Sequence, residues 1–312
     1  TLFPYTTLFR SFMIWKISLF IIIAILLSCC LNFDSNVERG FQYPSSISKF
    51  YDIPYVSIKG VDPKLNSLDI YAIKSGELQP ILIYVHGGAW RLGDKRNVGL
   101  KPIVFTEKGF VFISINYRLS PNAKFPSHAQ DIAKSIEWVY KNIDKYGGDK
   151  NQIYLMGHSA GAHLVTLVST DERYLMNNNI SLDIIKGVIS LDTVYDLNLL
   201  YENYFNVPDA YILTFGKDPE FLKFSSPITY VKKDKEIPPM FIAYSGGGIV
   251  GSLRERDMQS ENFVNKLREA NIYSELLPAL DKSHMSINSD FGNENDYVTK
   301  KVFEFLDCLI NK

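Results

Sequence analysis

Residues Gly157 to Gly161 read Gly-His-Ser-Ala-Gly, a G-x-S-x-G pentapeptide centred on Ser159. The pentapeptide follows a strand-like run, Ile153 to Met156, and precedes an apolar, helix-like segment, Ala162 to Val168. Strand, tight turn and helix are the context in which this motif presents a nucleophilic serine, because small residues let the backbone bend sharply. A serine hydroxyl is a weak nucleophile at neutral pH. The motif therefore predicts a histidine base, a carboxylate behind it and an oxyanion hole.

The base is predicted to be His284, which follows the last predicted strand by a short loop. This is the C-terminal position that the order serine, acid, histidine requires in a site of this kind. The other four histidines have different expected places. His86 lies in a glycine turn, His158 is expected to point away from the pocket, His163 to be packed or at the surface, and His128 to precede a helix.

A glycine turn upstream of the pentapeptide predicts the oxyanion hole. The strand that ends at Val85 continues into residues 86–90, which read His-Gly-Gly-Ala-Trp. Without side chains, Gly87 and Gly88 can direct their backbone N–H groups into one cavity, where the N–H of Ala160 would join them. One such donor typically stabilises the transition state by about 2.7–4 kcal/mol.

The acid of the triad has several candidates. The loop after the predicted strand Met240 to Tyr244 reads Ser-Gly-Gly-Gly-Ile-Val-Gly-Ser and contains no carboxylate. The first acids beyond it are Glu255 and Asp257, of which Asp257 is expected to cap a helix that starts near Met258. Glu255 lies just outside that helix, so it is the first choice. Asp257 is the second choice, and Asp192, at the end of the preceding strand, is the third.

Short strand-like runs alternate with helical patterns and would place these side chains at one edge of a sheet. Several runs are apolar throughout, as in parallel strands buried on both faces. Eight strand candidates predict an α/β fold: a mostly parallel, doubly wound sheet with helices on both faces and a small cap between strands six and seven. The strand candidates are Tyr55–Ile58, Leu68–Tyr71, Ile81–Val85, Val111–Ile115, Ile153–Met156, Gly187–Leu191, Met240–Tyr244 and Ser274–Leu277, and the helix candidates are Ala129–Asn142, Met258–Ala270 and Val298–Ile310.

The composition is that of an ordinary globular protein and excludes several classes. The 312 residues are 46% apolar and 21% charged, with a formal net charge of −1. A nearly neutral charge balance does not favour a nucleic-acid-binding protein. The lack of internal repeats excludes a solenoid. The three cysteines, Cys29, Cys30 and Cys308, make no disulfide framework, and Cys308 is expected to be buried on the last helix.

The N-terminal residues are expected to precede the catalytic domain. Residues 1–11 resemble a translated sequencing adapter and are excluded as non-native. Residues 13–28 predict a lipoprotein signal peptide, with Lys16 before an apolar core from Ile17 to Leu27 and a lipobox-like ending before Cys29. An uncleaved anchor or an ordinary signal peptide is the alternative, although the apolar run is shorter than the roughly 20 residues of a transmembrane helix.

Cleavage before Cys29 would leave a lipid on its thiol and anchor the chain to a bacterial cell envelope; a periplasmic or secreted protein is the alternative. Residues 29–48 then predict a polar tether, and residues 49–312 the catalytic domain.

Together these motifs resemble the α/β-hydrolase fold, and within it the esterases and lipases related to hormone-sensitive lipase. The resemblance rests on the glycine turn at residues 86–90, on residues 116–121, which read Asn-Tyr-Arg-Leu-Ser-Pro, and on the pentapeptide. Residues 159–164 and 284–287 are also similar to kynurenine-formamidase-like and carbohydrate-esterase-like members. The resemblance covers roughly Tyr51 to Ile310. Two departures are Ala89 in place of a third glycine and the loop after strand seven without its usual aspartate.

The resemblance implies a serine hydrolase that cleaves carboxylic esters, including those of acylated carbohydrates, through an acyl-enzyme and without metal or cofactor. Its partners would be a small-molecule or glycan ester and, through the lipid, a membrane. The alternatives are a formamidase or amidase on the same triad and a non-catalytic binding protein on a hydrolase scaffold. Aromatic residues between strands six and seven are expected either to line an acyl or sugar site or to pack cap helices; they are Tyr195, Tyr201, Tyr204, Phe205 and Tyr211.

Overall fold

The computed structural model describes residues 43–203, 207–247 and 253–311, without the side chains of residues 253–255. The predicted signal peptide, the predicted lipid attachment site at Cys29 and most of the predicted tether therefore lie outside the described residues. Within the described ranges, no helix combines the length and apolar character needed to cross a membrane.

Eight strands form one sheet in the order β1-β2-β4-β3-β5-β6-β7-β8. The strands are β1 (Ile47–Pro54), β2 (Ser67–Ile73), β3 (Gln79–Val85), β4 (Val111–Ile115), β5 (Gly148–His158), β6 (Ile185–Leu191), β7 (Met240–Gly247) and β8 (Ser274–Ser283). β2 is antiparallel to both β1 and β4, and all other neighbours are parallel. The prediction of a mostly parallel, eight-stranded sheet is confirmed.

Helices cover both faces of the sheet, because the central strands are apolar on both sides. The α-helices are α1 (Lys101–Glu107), α2 (Ser127–Asn142), α3 (Ala160–Thr170), α4 (Arg173–Met176), α5 (Leu197–Asn203), α6 (Asp209–Phe215), α7 (Pro219–Phe224), α8 (Leu253–Glu269), α9 (Ser286–Ser289) and α10 (Tyr297–Ile310). Ile113 of β4 belongs to the large apolar core that includes residues of α2 and α3. Its neighbour Phe112 points to the other face, where its ring centroid lies 5.8 Å from that of Phe105 in α1. This alternation produces the doubly wound arrangement.

Short connecting helices complete the chain. Turns of 3₁₀-helix lie at Pro63–Asn66, Ile143–Tyr146, Leu182–Ile184 and Pro227–Tyr230. Helices α5, α6 and α7 lie between β6 and β7, in the segment for which a cap was predicted.

The N-terminal strand differs from the prediction. β1 begins at Ile47, inside the predicted tether, and Tyr55 to Ile58 are not a strand. Tyr55 is instead a buried residue that connects the segment after β1 to the end of β4, since its hydroxyl donates to the backbone oxygen of Asn116 over 2.7 Å. Most of β1 is exposed, as expected of an edge strand, so it lacks the apolar pattern by which the central strands were recognised.

The burial of Cys308 was also predicted wrongly. Cys308 lies on α10 but is exposed. The buried face of this helix includes Val302, Phe305 and Leu306, and Cys308 lies outside it.

The register of the parallel strands brings the residues that follow them to one edge of the sheet. Val85 of β3 pairs with Gly157 of β5, and His158 pairs with Leu191 of β6. Leu191 in turn pairs with Ala243 of β7. The glycine turn, the pentapeptide and Asp192 therefore leave the sheet side by side, at the carboxyl ends where open α/β sheets bind their ligands.

Candidate active site

Ser159 lies at a strained turn between β5 and α3. Its backbone has φ 53° and ψ −122°, a conformation that a non-glycine residue rarely adopts. The flanking glycines make the turn possible because their positions are crowded by backbone. A Cβ on Gly157 would lie 2.4 Å from the carbonyl carbon of Gly161, and one on Gly161 would lie 2.1 Å from the oxygen of Val85. The pentapeptide is thus a nucleophile elbow.

His284 lies between Ser159 and a carboxylate. Its Nε2 is 3.0 Å from Oγ of Ser159, and its Nδ1 is 2.8 Å from Oδ2 of Asp192. With a proton on Nδ1, the imidazole donates to the carboxylate and leaves Nε2 to accept the serine proton. The side chain of His284 is 22% exposed and that of Asp192 is 1% exposed. The arrangement can pass a proton between the partly exposed hydroxyl of Ser159 and an imidazole that a buried carboxylate orients.

The carboxylate at His284 is that of Asp192, the third choice from the sequence. Nδ1 carries at most one proton, so its bond to Asp192 leaves none for Glu255, the first choice, and that ranking is corrected. Glu255 lies in the first turn of α8, and its side chain is not among those described. Asp257 does not cap this helix, which begins at Leu253; its Oδ1 accepts from the N–H of Met258 over 2.6 Å.

Asp192 is held in place by several donors. Its own N–H donates to the oxygen of Ala243 over 2.8 Å, which fixes the backbone at the end of β6. The hydroxyl of Ser245 donates to Oδ2, and Nη1 of Arg256 lies 3.3 Å from the same atom. Burial alone would raise the pKa of Asp192, but the hydrogen bond from His284 and the charges of His284 and Arg256 lower it below the ordinary value. Asp192 is therefore ionised at neutral pH.

The predicted oxyanion residues lie around the elbow. A Cβ on Gly87 would be 3.1 Å from Cβ of Ser159, so the Gly87 backbone lies directly against the nucleophile. Gly88 has φ +119°, which only glycine adopts readily. Ala160 is the first residue of α3, so its N–H has no acceptor within the helix. The backbones of Gly87 and Ala160 therefore lie beside Ser159.

His86 and Tyr117 hold the start of the glycine turn in place through a ring stack and a hydrogen bond. Their rings stack with centroids 4.6 Å apart, and the Tyr117 hydroxyl donates to the His86 oxygen over 3.1 Å. Burial lowers the pKa of His86, which keeps the ring neutral. The tyrosine of residues 116–121 thus has a structural role next to the oxyanion hole.

His158 has a role that sequence reasoning missed. Its Nε2 donates to the backbone oxygen of His284 over 2.7 Å, and the two rings lie 4.7 Å apart. Burial lowers the pKa of His158 to about 3, so the ring is neutral and carries the donating proton on Nε2. His158 therefore packs on the candidate base from the buried side. No sequence signal marks this contact, because it joins residues 126 positions apart.

His163 and His128 are buried structural residues. Nε2 of His163 donates to the oxygen of Ser225 over 2.8 Å, and Nε2 of His128 lies 3.2 Å from Oγ of Ser120. Burial lowers the pKa of each ring to about 4. His163 is thus packed, which was one of its two expected places.

The aromatic residues between β6 and β7 divide into two groups. Tyr195 is a core residue, since its ring stacks on Phe263 at 4.3 Å, and the Tyr201 hydroxyl donates to the oxygen of Gly216. Tyr211 of α6 instead packs on Trp90, the residue that ends the glycine turn, with ring centroids 5.0 Å apart. Tyr204 and Phe205 lie outside the described residues. One predicted aromatic residue therefore borders the oxyanion turn, and two pack inside the fold.

Comparison with protein families gives a match that covers this site. The sequence model of the family BD-FAE matches residues 68–249, more than half of the chain. The matched range contains the oxyanion turn, the elbow and Asp192.

Two curated relatives match most of the chain. The esterase LipQ of Mycobacterium tuberculosis is 29% identical over 84% of this chain and 62% of its own length. A kynurenine formamidase of Danio rerio is 25% identical over 87% of both chains. The chain spans about half to three fifths of the first few curated relatives it matches, LipQ among them. The predicted resemblance to esterases and kynurenine formamidases is confirmed.

Solved structures confirm the fold. Esterase B of Lactobacillus Rhamnosis superposes with a TM-score of 0.72 at 19% identity, covering 95% of each chain. A truncated carbohydrate esterase from gut microbiota gives 0.68 at 21% identity, covering 85% of this chain and 97% of its own. The sheet, its helices and the strand order are therefore those of α/β-hydrolase esterases.

Proposed function

The chain belongs to the BD-FAE family, and from this premise we propose that it is a serine hydrolase that cleaves carboxylic esters through an acyl-enzyme. The observation that carries the proposal is the continuous hydrogen-bonded path from Ser159 through His284 to Asp192 at the carboxyl edge of the sheet. Esterases among the relatives support the same reaction class.

Each half of the reaction uses the same groups. Oγ of Ser159 attacks the ester carbonyl carbon while Nε2 of His284 takes the hydroxyl proton. Backbone N–H groups of Gly87, Gly88 and Ala160 donate to the oxyanion of the tetrahedral intermediate. The C–O bond to the alcohol then breaks, and the imidazolium returns the proton to the leaving oxygen. Water repeats the sequence on the acyl-enzyme and releases the acid.

The charge on Asp192 supports this cycle. An imidazolium forms twice in each turnover, and the buried carboxylate stabilises it without itself taking a proton. The lowered pKa of Asp192 keeps that charge in place across the neutral range.

The decisive test is Ser159→Ala measured with p-nitrophenyl acetate. We expect kcat to fall by about 10⁶-fold, because loss of the nucleophile removes the covalent step. Ser48→Ala, at an exposed position on β1, is the control and should retain full activity. A variant without Ser159 that hydrolyses the ester as fast as the natural protein would refute the proposal.

The same experiment separates the enzyme from a binding protein on this scaffold. A fluorophosphonate probe should label the natural protein and not Ser159→Ala. Folded natural protein that neither hydrolyses the ester nor reacts with the probe would favour the binding protein.

Formamide hydrolysis is the second candidate. The kynurenine formamidase of Danio rerio matches 87% of its own length, whereas the esterase LipQ matches 62%. The triad can attack the formyl carbonyl of an ester or of an amide. The two functions are therefore separated by comparing kcat/KM for p-nitrophenyl formate with kcat/KM for formanilide, which differ only in the leaving group. A larger value for the amide would establish the formamidase.

Acylated carbohydrate is the natural ester class that we propose for the first substrate panel. Tyr211 is partly exposed and packs on the buried Trp90 at the end of the oxyanion turn, so its ring could provide an aromatic surface for a sugar. Acetylated sugars hydrolysed no faster than simple alkyl acetates would argue against this class.

We propose that the protein is exported and carries a lipid on Cys29, as the pattern of residues 13–29 indicates. Growth of a bacterial host with a radiolabelled fatty acid should label the natural chain and not Cys29→Ala. Equal labelling of both, or of neither, would contradict lipidation at this residue.

A further inference from the structure

Arg256 reaches from α8 to the acid of the candidate triad. Its Nη1 lies 3.3 Å from Oδ2 of Asp192 and 2.9 Å from the backbone oxygen of Gly247, and it also donates to the hydroxyl of Ser245. The side chain of Arg256 is 8% exposed and that of Asp192 is 1% exposed. The two form a buried ion pair, in which each charge depends on the other for compensation.

The oxygen of Gly247 connects Arg256 to the base as well. It accepts from Nη1 of Arg256 and also, over 2.8 Å, from the backbone N–H of His284. Arg256 therefore contacts the acid directly and the backbone of the base through one shared carbonyl.

Asp192 needs support from its surroundings. The end of β7 supplies the hydroxyl of Ser245 rather than a carboxylate, so the acid is Asp192, which follows the neighbouring strand β6 and has φ 54°. A non-glycine residue with positive φ persists only where its surroundings hold it. The donors on Asp192 come from β7, α8 and the loop after β8, so three separate elements orient one carboxylate.

We propose that Arg256 is a positioning residue of the active site, which holds Asp192 ionised and aimed at Nδ1 of His284. The proposal rests on the proposed ester hydrolysis for its catalytic consequence, because only an uncharged Nε2 can accept the serine proton. The charge of Arg256 is one of the causes that lower the pKa of Asp192, so Arg256 keeps the acid ionised to lower pH.

The other charged and titratable groups around His284 in the described residues do not replace Arg256. Asp192 from β6 and His158 from β5 contact His284 directly. Lys101 of α1 donates to the oxygen of Asn288, four residues beyond His284, and Lys282 is paired with Asp290 and Asp296. Arg256 is the cation among these that contacts the triad carboxylate.

The test is the pH dependence of kcat/KM for p-nitrophenyl acetate in Arg256→Gln and Arg256→Lys. In Arg256→Gln we expect kcat/KM to fall by about 10- to 100-fold at pH 8, because the acid is less well oriented. The midpoint of the acidic limb should also rise by about one pH unit, because the cation is gone. Arg256→Lys should recover most of the midpoint but less of the rate, since lysine keeps the charge without the planar fork.

Arg268→Gln, at an exposed position on the same helix, is the matched control and should leave both rate and midpoint unchanged. A lower rate in Arg256→Gln with an unmoved midpoint would overturn the proposal, since it would reveal a purely structural arginine. An Arg256→Gln profile identical to that of the natural protein would overturn it as well.

An activity-independent measurement keeps this proposal separate from the proposed function. NMR titration of the His284 ring protons should show the same upward shift of the midpoint in Arg256→Gln, whether or not the ester is a substrate. A shift in a protein that hydrolyses no ester would refute the esterase and retain Arg256. An active esterase in which the His284 midpoint does not move would retain the proposed function and refute the proposed role of Arg256.

Discussion

Asp192 carries the negative charge of the candidate site from an almost completely buried position at the end of β6. A buried carboxylate is unfavourable unless hydrogen bonds and opposite charge compensate it. Asp192 has both, from His284, Ser245 and Arg256. The groups that compensate the desolvation of this carboxylate also orient it, and its charge is available when the imidazolium forms.

Asp192→Asn should lower kcat by about 10⁴-fold with p-nitrophenyl acetate. The amide no longer compensates the imidazolium, and its NH₂ group can hold His284 in the tautomer that presents Nε2–H to the serine. The fold should persist at reduced stability: asparagine has nearly the same shape and can still accept from Ser245, but the buried Arg256 loses its counter-charge.

Asp257→Asn and Glu255→Gln are the matched controls for that experiment. Both remove a carboxylate near the start of α8, and we expect each to change kcat by less than about threefold, because Nδ1 of His284 is already bonded to Asp192. A loss in Glu255→Gln as large as that in Asp192→Asn would return the acid role to Glu255.

Among the secondary-structure elements, the turn from β5 into α3 packs closely on the end of β3. Gly161 lies against the end of β3, where an added Cβ would be 2.1 Å from the oxygen of Val85 and 2.5 Å from that of His86. These are backbone atoms of the segment that leads into the oxyanion turn, so they cannot move without displacing it. The glycine therefore sets the distance between nucleophile and oxyanion donors.

Gly161→Ala should destabilise the protein by about 1–3 kcal/mol through overpacking and lower kcat/KM by about 100-fold through displacement of the turn. Thermal unfolding and ester hydrolysis measure the two effects. Gly76→Ala is the control, since Gly76 is exposed and a Cβ there meets no atom within 4 Å. Similar Tm and kcat/KM for both variants would show that the close approach is unimportant.

For the whole molecule, burial of histidines couples stability to pH. Burial lowers the pKa of His158 to about 3 and those of His128 and His163 to about 4, and it lowers that of His86 as well. The unfolded chain, whose histidines titrate near pH 6.5, binds more protons than the folded protein between pH 6.5 and 4. Stability should therefore fall as the pH falls through this window.

Urea unfolding between pH 7 and pH 4 measures this dependence. His128, His158 and His163 each contribute about 1.4 kcal/mol per pH unit within the window. His163→Asn should reduce the slope by one such contribution, whatever its effect on stability at pH 7, because it removes one group that takes up a proton on unfolding. A free energy of unfolding that stays constant from pH 7 to pH 5 would contradict the prediction.

Much of the site was predictable because its signals are local in the chain. The pentapeptide around Ser159, the glycine turn at Gly87 and Gly88, and the apolar central strands are each short segments that specify their own backbone. The place of His284 followed from strand order alone. β1 was missed because an exposed edge strand needs no apolar pattern.

The amino-acid sequence by itself therefore determined the fold class, the elbow, the glycine turn and the place of the candidate base in the chain. Only the tertiary structure decided that Asp192 faces Nδ1 of His284, that Arg256 holds this acid, and that His158 supports the histidine loop. Asp192 and His284 are 92 residues apart in the chain. Neighbouring strands lie only about 4.8 Å apart, so the ends of β6 and β7 are nearly equivalent places for an acid, and chain order cannot choose between them.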